Sequence, residues 1–304
     1  MRKRKIWENF LQWILPCVLL VIALVLSIYD FNNKMEIAIQ TVVDDQAEQI
    51  GLYYAAGVED KLKALGNITD AVASIMAARL DRGEAFLNEK LDTLMKASDA
   101  YMVVYCATNG TGFLNDRRQI DMTELNYYDS ILGETPHYLF TRSDGINGQM
   151  AFIYVCPITN SGNVNGYLLS YMEPAEMSDF FENSVYGDKA FFSLVDRNGT
   201  IMACYGATQG TKILQNDFWN SLKGVAESLG SWTLFDRQQQ KGDNGILHVN
   251  ENGVGKILCH FPIADTAWNL VVGIDESYLS GIQQSFRGPI VDLIVKISIS
   301  IAAA

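Results

Sequence analysis

Few residues in this sequence are suited to covalent or metal chemistry. It has three histidines, His137, His248 and His260, and only His260 has a cysteine, Cys259, beside it. The five cysteines are Cys17, Cys106, Cys156, Cys204 and Cys259, and none of their spacings is the Cys-x-x-Cys of a zinc or redox site. Each of the last four sits in an apolar, strand-like run, which predicts buried free thiols, with pairing as the alternative. His248 and His260 lie twelve residues apart, with no Gly-x-Ser-x-Gly serine and no metal-binding motif near them. A nucleotide loop is also missing. The expectation is a chain that catalyses nothing, with no cofactor and no metal. Three Asn-x-Ser/Thr triplets begin at Asn67, Asn109 and Asn198, and the last two read as turn chemistry.

The charge balance narrows the partners. Twenty-three Lys and Arg face 35 Asp and Glu, a net charge of −12, whereas a nucleic-acid binder needs a cationic surface. Nearly half of the 304 residues are hydrophobic, which excludes disorder and allows two domains. Arg2 to Lys5 are all basic, and from Asn9 to Tyr29 no residue is charged. Twenty-one residues of helix span about 30 Å, the thickness of a bilayer's hydrocarbon. A signal peptide is the competing reading, but its apolar region is shorter and ends at a small-x-small cleavage site. The spacing predicts a transmembrane helix over 9–29, with the basic residues 1–8 in the cytoplasm. After Pro289 the chain is again apolar apart from Asp292 and Lys296. Residues 289–304 read as the start of a second span, or else as a short interfacial anchor. Residues from about 30 to 288 are then extracytoplasmic, with 18 basic and 33 acidic side chains, too acidic to dock on anionic lipid.

Two kinds of element must position whatever site lies between the spans. Val58, Leu62, Leu65, Thr69, Val72, Met76 and Leu80 recur every three or four residues, a stripe along one helix face. No proline interrupts residues 34–81, so 30–82 reads as a long stalk helix. The stripe can pair with a second copy or pack on its own domain. From about Tyr101 short apolar runs alternate with Asn-Gly and Gly-rich turns, the pattern of antiparallel strands. Here the chain repeats. Tyr101 to Thr111 is echoed by Phe191 to Thr200, Phe152 to Ile158 by Ile257 to Ile263, and Gly166 to Glu173 by Asn269 to Glu276. Offsets of 89, 105 and 103 residues point to two copies of one α+β unit, 83–182 and 183–286. Each copy inserts a polar, aromatic stretch, Leu125 to Asn147 and Thr211 to Asn244, where a pocket would form.

A basic start, one span, a stalk helix, two tandem α+β units and a second span resemble the double Cache family, the PAS-like extracytoplasmic sensor regions of bacterial transmembrane receptors. The resemblance covers about residues 34–286. It rests on the order of elements, on Pro157-Ile158 followed by Gly166-Tyr-Leu-Leu, and on Asn126-Tyr-Tyr-Asp to Glu134. It implies that the membrane-distal unit, 83–182, holds a small-molecule ligand. The unit 183–286 is then membrane-proximal. The family's amino-acid binders carry Arg-x-Trp-Tyr on the pocket helix, and here Leu125, Asn126, Tyr127 and Tyr128 stand instead. A free carboxylate wants a guanidinium, and Arg142 is the nearest substitute, its competing reading a solvated loop charge. The resemblance makes Tyr128 the first pocket candidate, followed by Tyr101, Tyr105, Tyr154 and Asp129. By strand alternation Tyr101, Val103 and Tyr105 share one face, which can equally pack on the stalk. Trp219, Trp232 and Trp268 read as core. The implied function is ligand sensing passed through the spans, in a homodimer paired along the stalk, to a cytoplasmic output module outside these residues. That module is of the histidine kinase, diguanylate cyclase or chemoreceptor type. The rival readings are a membrane-anchored adhesion or assembly module and an anchored enzyme.

Overall fold

A computed structural model describes residues 2–79, 83–182, 189–206, 217–251, 253–276, 278 and 296. Glu48–Ser280 forms one compact unit. Helix α1 (Arg2–Ala77) contains both the 9–29 stretch and most of the expected stalk. Among the described residues no helix is long and apolar enough to cross a membrane. The expected second span at 289–304 lies outside the described residues, except for Lys296.

The stripe on α1 is a packing face. Val58, Leu62, Leu65, Thr69, Val72 and Met76 are all buried, as their three- and four-residue spacing requires of one helix side. A second helix, α2 (Glu84–Ala97), follows and buries Leu91 and Leu94.

The repeat in the sequence becomes two antiparallel sheets. The first unit contributes β1 (Met102–Ala107), β2 (Thr111–Leu114), β3 (Gln119–Asp121), β4 (His137–Thr141), β5 (Ala151–Asn160) and β6 (Asn163–Met172), with α3 (Tyr128–Ile131) between β3 and β4. Its order is β3-β2-β1-β6-β5-β4. A short helix α4 (Ser178–Glu182) leads to the second unit: β7 (Ala190–Asp196), β8 (Ile201–Gly206), α5 (Phe218–Lys223), α6 (Leu229–Lys241), β9 (Gly245–Glu251), β10 (Val254–Pro262) and β11 (Trp268–Asp275). Its order, β8-β7-β11-β10-β9, matches the first sheet without β3.

The echoed residues do the same work in both copies. Gly110 and Gly199, each at φ +87°, close the β1–β2 and β7–β8 turns, a conformation that costs glycine nothing. The prolines stand where an outer strand stops. β4 pairs with β5 as far as Val155 and β9 with β10 as far as His260, and Pro157 and Pro262 each follow two residues later. Their missing N–H therefore falls where no outer neighbour needs it.

Each sheet packs one face on α1 and covers the other with its own insert. Toward the insert the first sheet turns Met102, Val104, Ile153, Val155, Leu169 and Tyr171. The opposite face binds the helix through polar contacts: Thr69 to Ser170 (2.7 Å), Tyr154 to Asp70 (2.9 Å) and the Tyr138 hydroxyl to the Leu62 carbonyl (2.8 Å). Glycines notch the helix beneath large rings. A Cβ at Gly51 would run into Phe261, one at Gly57 into Phe180, and one at Gly66 would come within 3.2 Å of Tyr154. The second insert, expected only as a polar aromatic stretch, contains α5 and α6. Ser228 caps α6 by accepting from the Ser231 N–H, and Gly242 at φ +76° ends it. Trp219, Trp232 and Trp268 are all buried.

Cys106, Cys156, Cys204 and Cys259 are free thiols, and Cys106, Cys156 and Cys259 are buried. Cys204, on β8 at the edge of the described sheet, departs from the expectation and is exposed.

Candidate functional site

On the insert face of the first unit a cleft of about 520 Å³ opens between the β3–α3 segment and the loop joining β4 to β5. Ile120, Leu125 and Ile146 give it an apolar wall, and Arg118, Asp121 and Glu124 bring charge to it. Leu125 and Asn126, at the first two positions of the family's pocket signature, line this cleft. Arg118, which has no counterpart among the expected site residues, brings a guanidinium to the cleft. It donates from Nε to Asp116 (2.6 Å) and from Nη2 to Asn147 (3.4 Å).

The loop over the cleft is built around one buried carboxylate. Asp144 has no exposed surface. Its Oδ1 accepts the backbone N–H groups of Ile146 (2.9 Å), Asn147 (2.7 Å) and Gly148 (2.8 Å), and its Oδ2 accepts the Tyr101 hydroxyl (2.8 Å). Tyr127 donates to the Asp144 carbonyl (2.7 Å) and lies 3.2 Å from the Tyr171 hydroxyl. Burial alone would raise the Asp144 carboxyl, but the backbone donors and Tyr101 outweigh it and hold the group below the usual aspartate value. Burial pushes the Tyr127 phenol up to about 12, so it stays a donor at neutral pH.

The six residues expected at the site do not come together. Tyr101 lies in a bend just before β1, so strand alternation does not reach it, and its hydroxyl anchors the cleft loop. Val103 and Tyr105 point the other way, with Tyr105 lining a cleft of about 300 Å³ beside Met76, Phe86 and Phe113. Tyr154 also lies on the helix side, bonded to Asp70. Tyr128 is half-buried against the insert core, its hydroxyl beside the Gly110 turn, and Asp129 is exposed. Arg142 is exposed on the β4–β5 loop. A signal for the missed Asp144 was present: Asp144-Gly145 and Asn147-Gly148 are two turn dipeptides in five residues. No group of three or more His, Cys, Asp and Glu side chains suited to a metal ion occurs among the described residues.

No known family profile matches the chain, and no curated protein sequence does. Solved structures do. The ligand-binding domain of the Pseudomonas fluorescens chemoreceptor CtaA, in complex with L-isoleucine, is 14% identical with a TM-score of 0.62, over 81% of this chain and 97% of that one. The sensory domain of the Campylobacter jejuni chemoreceptor Tlp3, with isoleucine bound, is 15% identical with a TM-score of 0.57, over 79% and 95%. The extracellular domain of a protein assigned as a histidine kinase, rpHK1S-Z16, is 16% identical with a TM-score of 0.59, over 79% and 98%. The chain has the fold of these extracellular sensory domains, the fold that the double Cache resemblance implied.

Proposed function

We propose that this chain is the sensing region of a membrane receptor. Residues 9–29 span the bilayer from a cytoplasmic N-terminus, residues from about 30 to 288 stand outside, and 289–304 begin a second crossing. The unit 83–182 binds the ligand, and the unit 183–286 lies nearer the membrane. The observation that carries the reading is the 520 Å³ cleft, roofed by a loop pinned through Asp144, on the first sheet of a sensor fold.

The chemistry of the cleft favours a small α-amino acid. Arg118 can take a carboxylate in a bidentate pair, and Asp121 and Glu124 suit an ammonium. The wall of Ile120, Leu125 and Ile146 suits an aliphatic side chain. Amino acids are also what the CtaA and Tlp3 domains hold. In this reading Tyr101 sets the cleft loop, Tyr128 and Asp129 shape the α3 side, and Arg142 steers anions from the rim. Tyr105 and Tyr154 carry the sheet's response to the helices. Tyr154–Asp70 and Thr69–Ser170 tie that response to α1. Two copies paired along α1 would pass it to a cytoplasmic histidine kinase, diguanylate cyclase or chemoreceptor module. The sensing region itself catalyses nothing.

The test is a thermal-shift screen of the full chain in detergent against the common L-amino acids. A ligand at 100 times its dissociation constant adds about 2.7 kcal/mol and raises the melting point by a few degrees. Arg118→Ala abolishes that shift if the cleft is the site. Silence from every amino acid, or a shift that survives Arg118→Ala, overturns the reading.

A further inference from the structure

The second unit has a cleft of its own. It holds about 330 Å³ and lies among the β7–β8 turn, the start of α5 and the second half of α6. The turn fixes one side of it. Gly199, at φ +87°, accepts the Phe218 N–H (2.9 Å) and approaches α5 closely: a Cβ there would stand 3.1 Å from the Phe218 nitrogen and 3.2 Å from Asp217 Oδ1. Trp219 donates from Nε1 to the Asp196 carbonyl (2.9 Å), which ties its indole to the same turn. Asp217 caps α5 and accepts from Asn220 Nδ2 (2.7 Å), and on α6 Asp236 accepts from Gln240 Nε2 (2.9 Å). Gln239 is only 7% exposed, yet it lines the cleft, and its buried Nε2 has no hydrogen-bond partner.

The lining defines what fits. Trp219 is its one apolar side chain, and every other lining residue is polar, so an aliphatic ligand gains little here. A carboxylate offers about four acceptor sites, so Asp217 and Asp236 keep lone pairs beyond the bonds they already accept. Arg197, exposed on the β7–β8 turn, adds a fork of N–H donors. Buried donors are almost always bonded, so the Gln239 amide is a donor in the cleft wall that the protein itself leaves unused. Acceptors and donors thus stand side by side. An anion would meet two carboxylates and a cation a guanidinium. A zwitterion would pair the charges and leave the amides idle. A hydroxyl donates once and accepts twice, so vicinal hydroxyls on an uncharged ring use both kinds of group. Ligand pockets run from about 300 to 1,000 Å³, and this one, at the small end, suits a single ring.

We propose that this cleft is a second binding site, for an uncharged monosaccharide. The ligand's vicinal hydroxyls donate to Asp217 and Asp236 and accept from Arg197. They also accept from Gln239, whose side chain rotates to bring its amide nitrogen to the cleft. The apolar face of the sugar ring rests on the wall that Trp219 supplies. The site is separate from the cleft of the first unit and does not depend on what that cleft binds.

The probes are D-glucose, D-galactose, D-mannose and D-ribose, each titrated by calorimetry into the full chain at pH 7. The detergent is lauryldimethylamine oxide, which has no sugar head to compete. Tetrahydropyran-2-methanol, a ring without vicinal hydroxyls, is the control. Saturable binding of one equivalent is expected for at least one sugar, and binding of the control should be weaker by about tenfold or more. Asp236→Ala and Arg197→Ala should each weaken the sugar by about tenfold or more, the loss of a hydrogen bond to a charged group, and Arg118→Ala should leave it unchanged. Where Asp236→Ala does not fold, Arg197→Ala decides, since its side chain is exposed. No saturable binding of any of these sugars overturns the proposal. Equal binding of the control, full binding in Arg197→Ala, or loss of binding in Arg118→Ala also overturns it.

Discussion

Replacing Asp144 by alanine removes the acceptor of four donors at once: three backbone N–H groups at 2.7–2.9 Å and the Tyr101 hydroxyl at 2.8 Å. Asn147 and Gly148 are exposed, so water takes up their N–H groups and each loss costs well under the ~1 kcal/mol of an average hydrogen bond. Ile146 and Tyr101 are half-buried, and a bond to a charged acceptor is worth about 1.5–3 kcal/mol. The expected destabilisation is about 2–4 kcal/mol for Asp144→Ala and about 1–2 kcal/mol for Asp144→Asn, which keeps one carbonyl oxygen for the N–H groups. Urea unfolding of the full chain in detergent measures both. A double-mutant cycle with Tyr101→Phe isolates the phenol–carboxylate bond, with an expected coupling of about 1–2 kcal/mol. The same variants should weaken any ligand of the 520 Å³ cleft more than tenfold, because Ser143, Gly145 and Ile146 form part of its lining. The pH dependence has a definite sign. Asp144 is depressed in the fold, so its contribution is present above the ordinary aspartate value of 3.8 and fades as pH falls through the lowered one. Stability of Asp144→Ala within about 0.5 kcal/mol of the parent, with no coupling to Tyr101, would refute this account of the loop.

His260 sets a second pH dependence. A base held at about 4 in the fold and at 6.5 when unfolded stabilises fully above 6.5 and progressively less as pH falls to 4, a change of about 3 kcal/mol at most. Unfolding free energies at pH 7 and pH 4.5 should differ less in His260→Phe than in the parent. Tyr154→Phe removes the bond to Asp70 and should cost about 1.5–3 kcal/mol in urea unfolding. Gly51→Ala improves intrinsic helix propensity by about 1 kcal/mol but pushes a methyl into Phe261. A net melting-point drop is expected from it, and a rise would show that the ring moves freely.

Much of the fold was legible because the repeat is carried by residues with local physical duties. Asn-Gly at 109 and 198 makes turns whatever surrounds it, and the prolines at 157 and 262 mark where outer strands end. The stripe from Val58 to Met76 needed only helical periodicity. Helices α5 and α6 were harder to see: α5 has only six residues, and Gly230 sits in the first turn of α6, whose apolar anchors are just Trp232 and Phe235. The site was legible in location and not in membership. Alternation separates the two faces of β1 and β5 without telling which one meets α1, so Tyr105 and Tyr154 read as pocket residues while facing the helix side. Asp144 acts on backbone N–H groups that converge only once the loop has formed.

The notches on α1 bear on how this molecule can move. Phe261 comes from the second sheet, Tyr154 from the first and Phe180 from the connection between them, and each ring is keyed into a place where the helix has no side chain. Gly51, Gly57 and Gly66 are unevenly spaced, so no translation along the axis brings all three rings over glycine again. A step of one residue, about 1.5 Å of rise and 100° of turn, would put the Phe261 ring against Ile50 or Leu52. From Gly51 to Gly66 the helix and its rings are therefore geared as one body. A piston stroke of this segment has to drag both sheets with it.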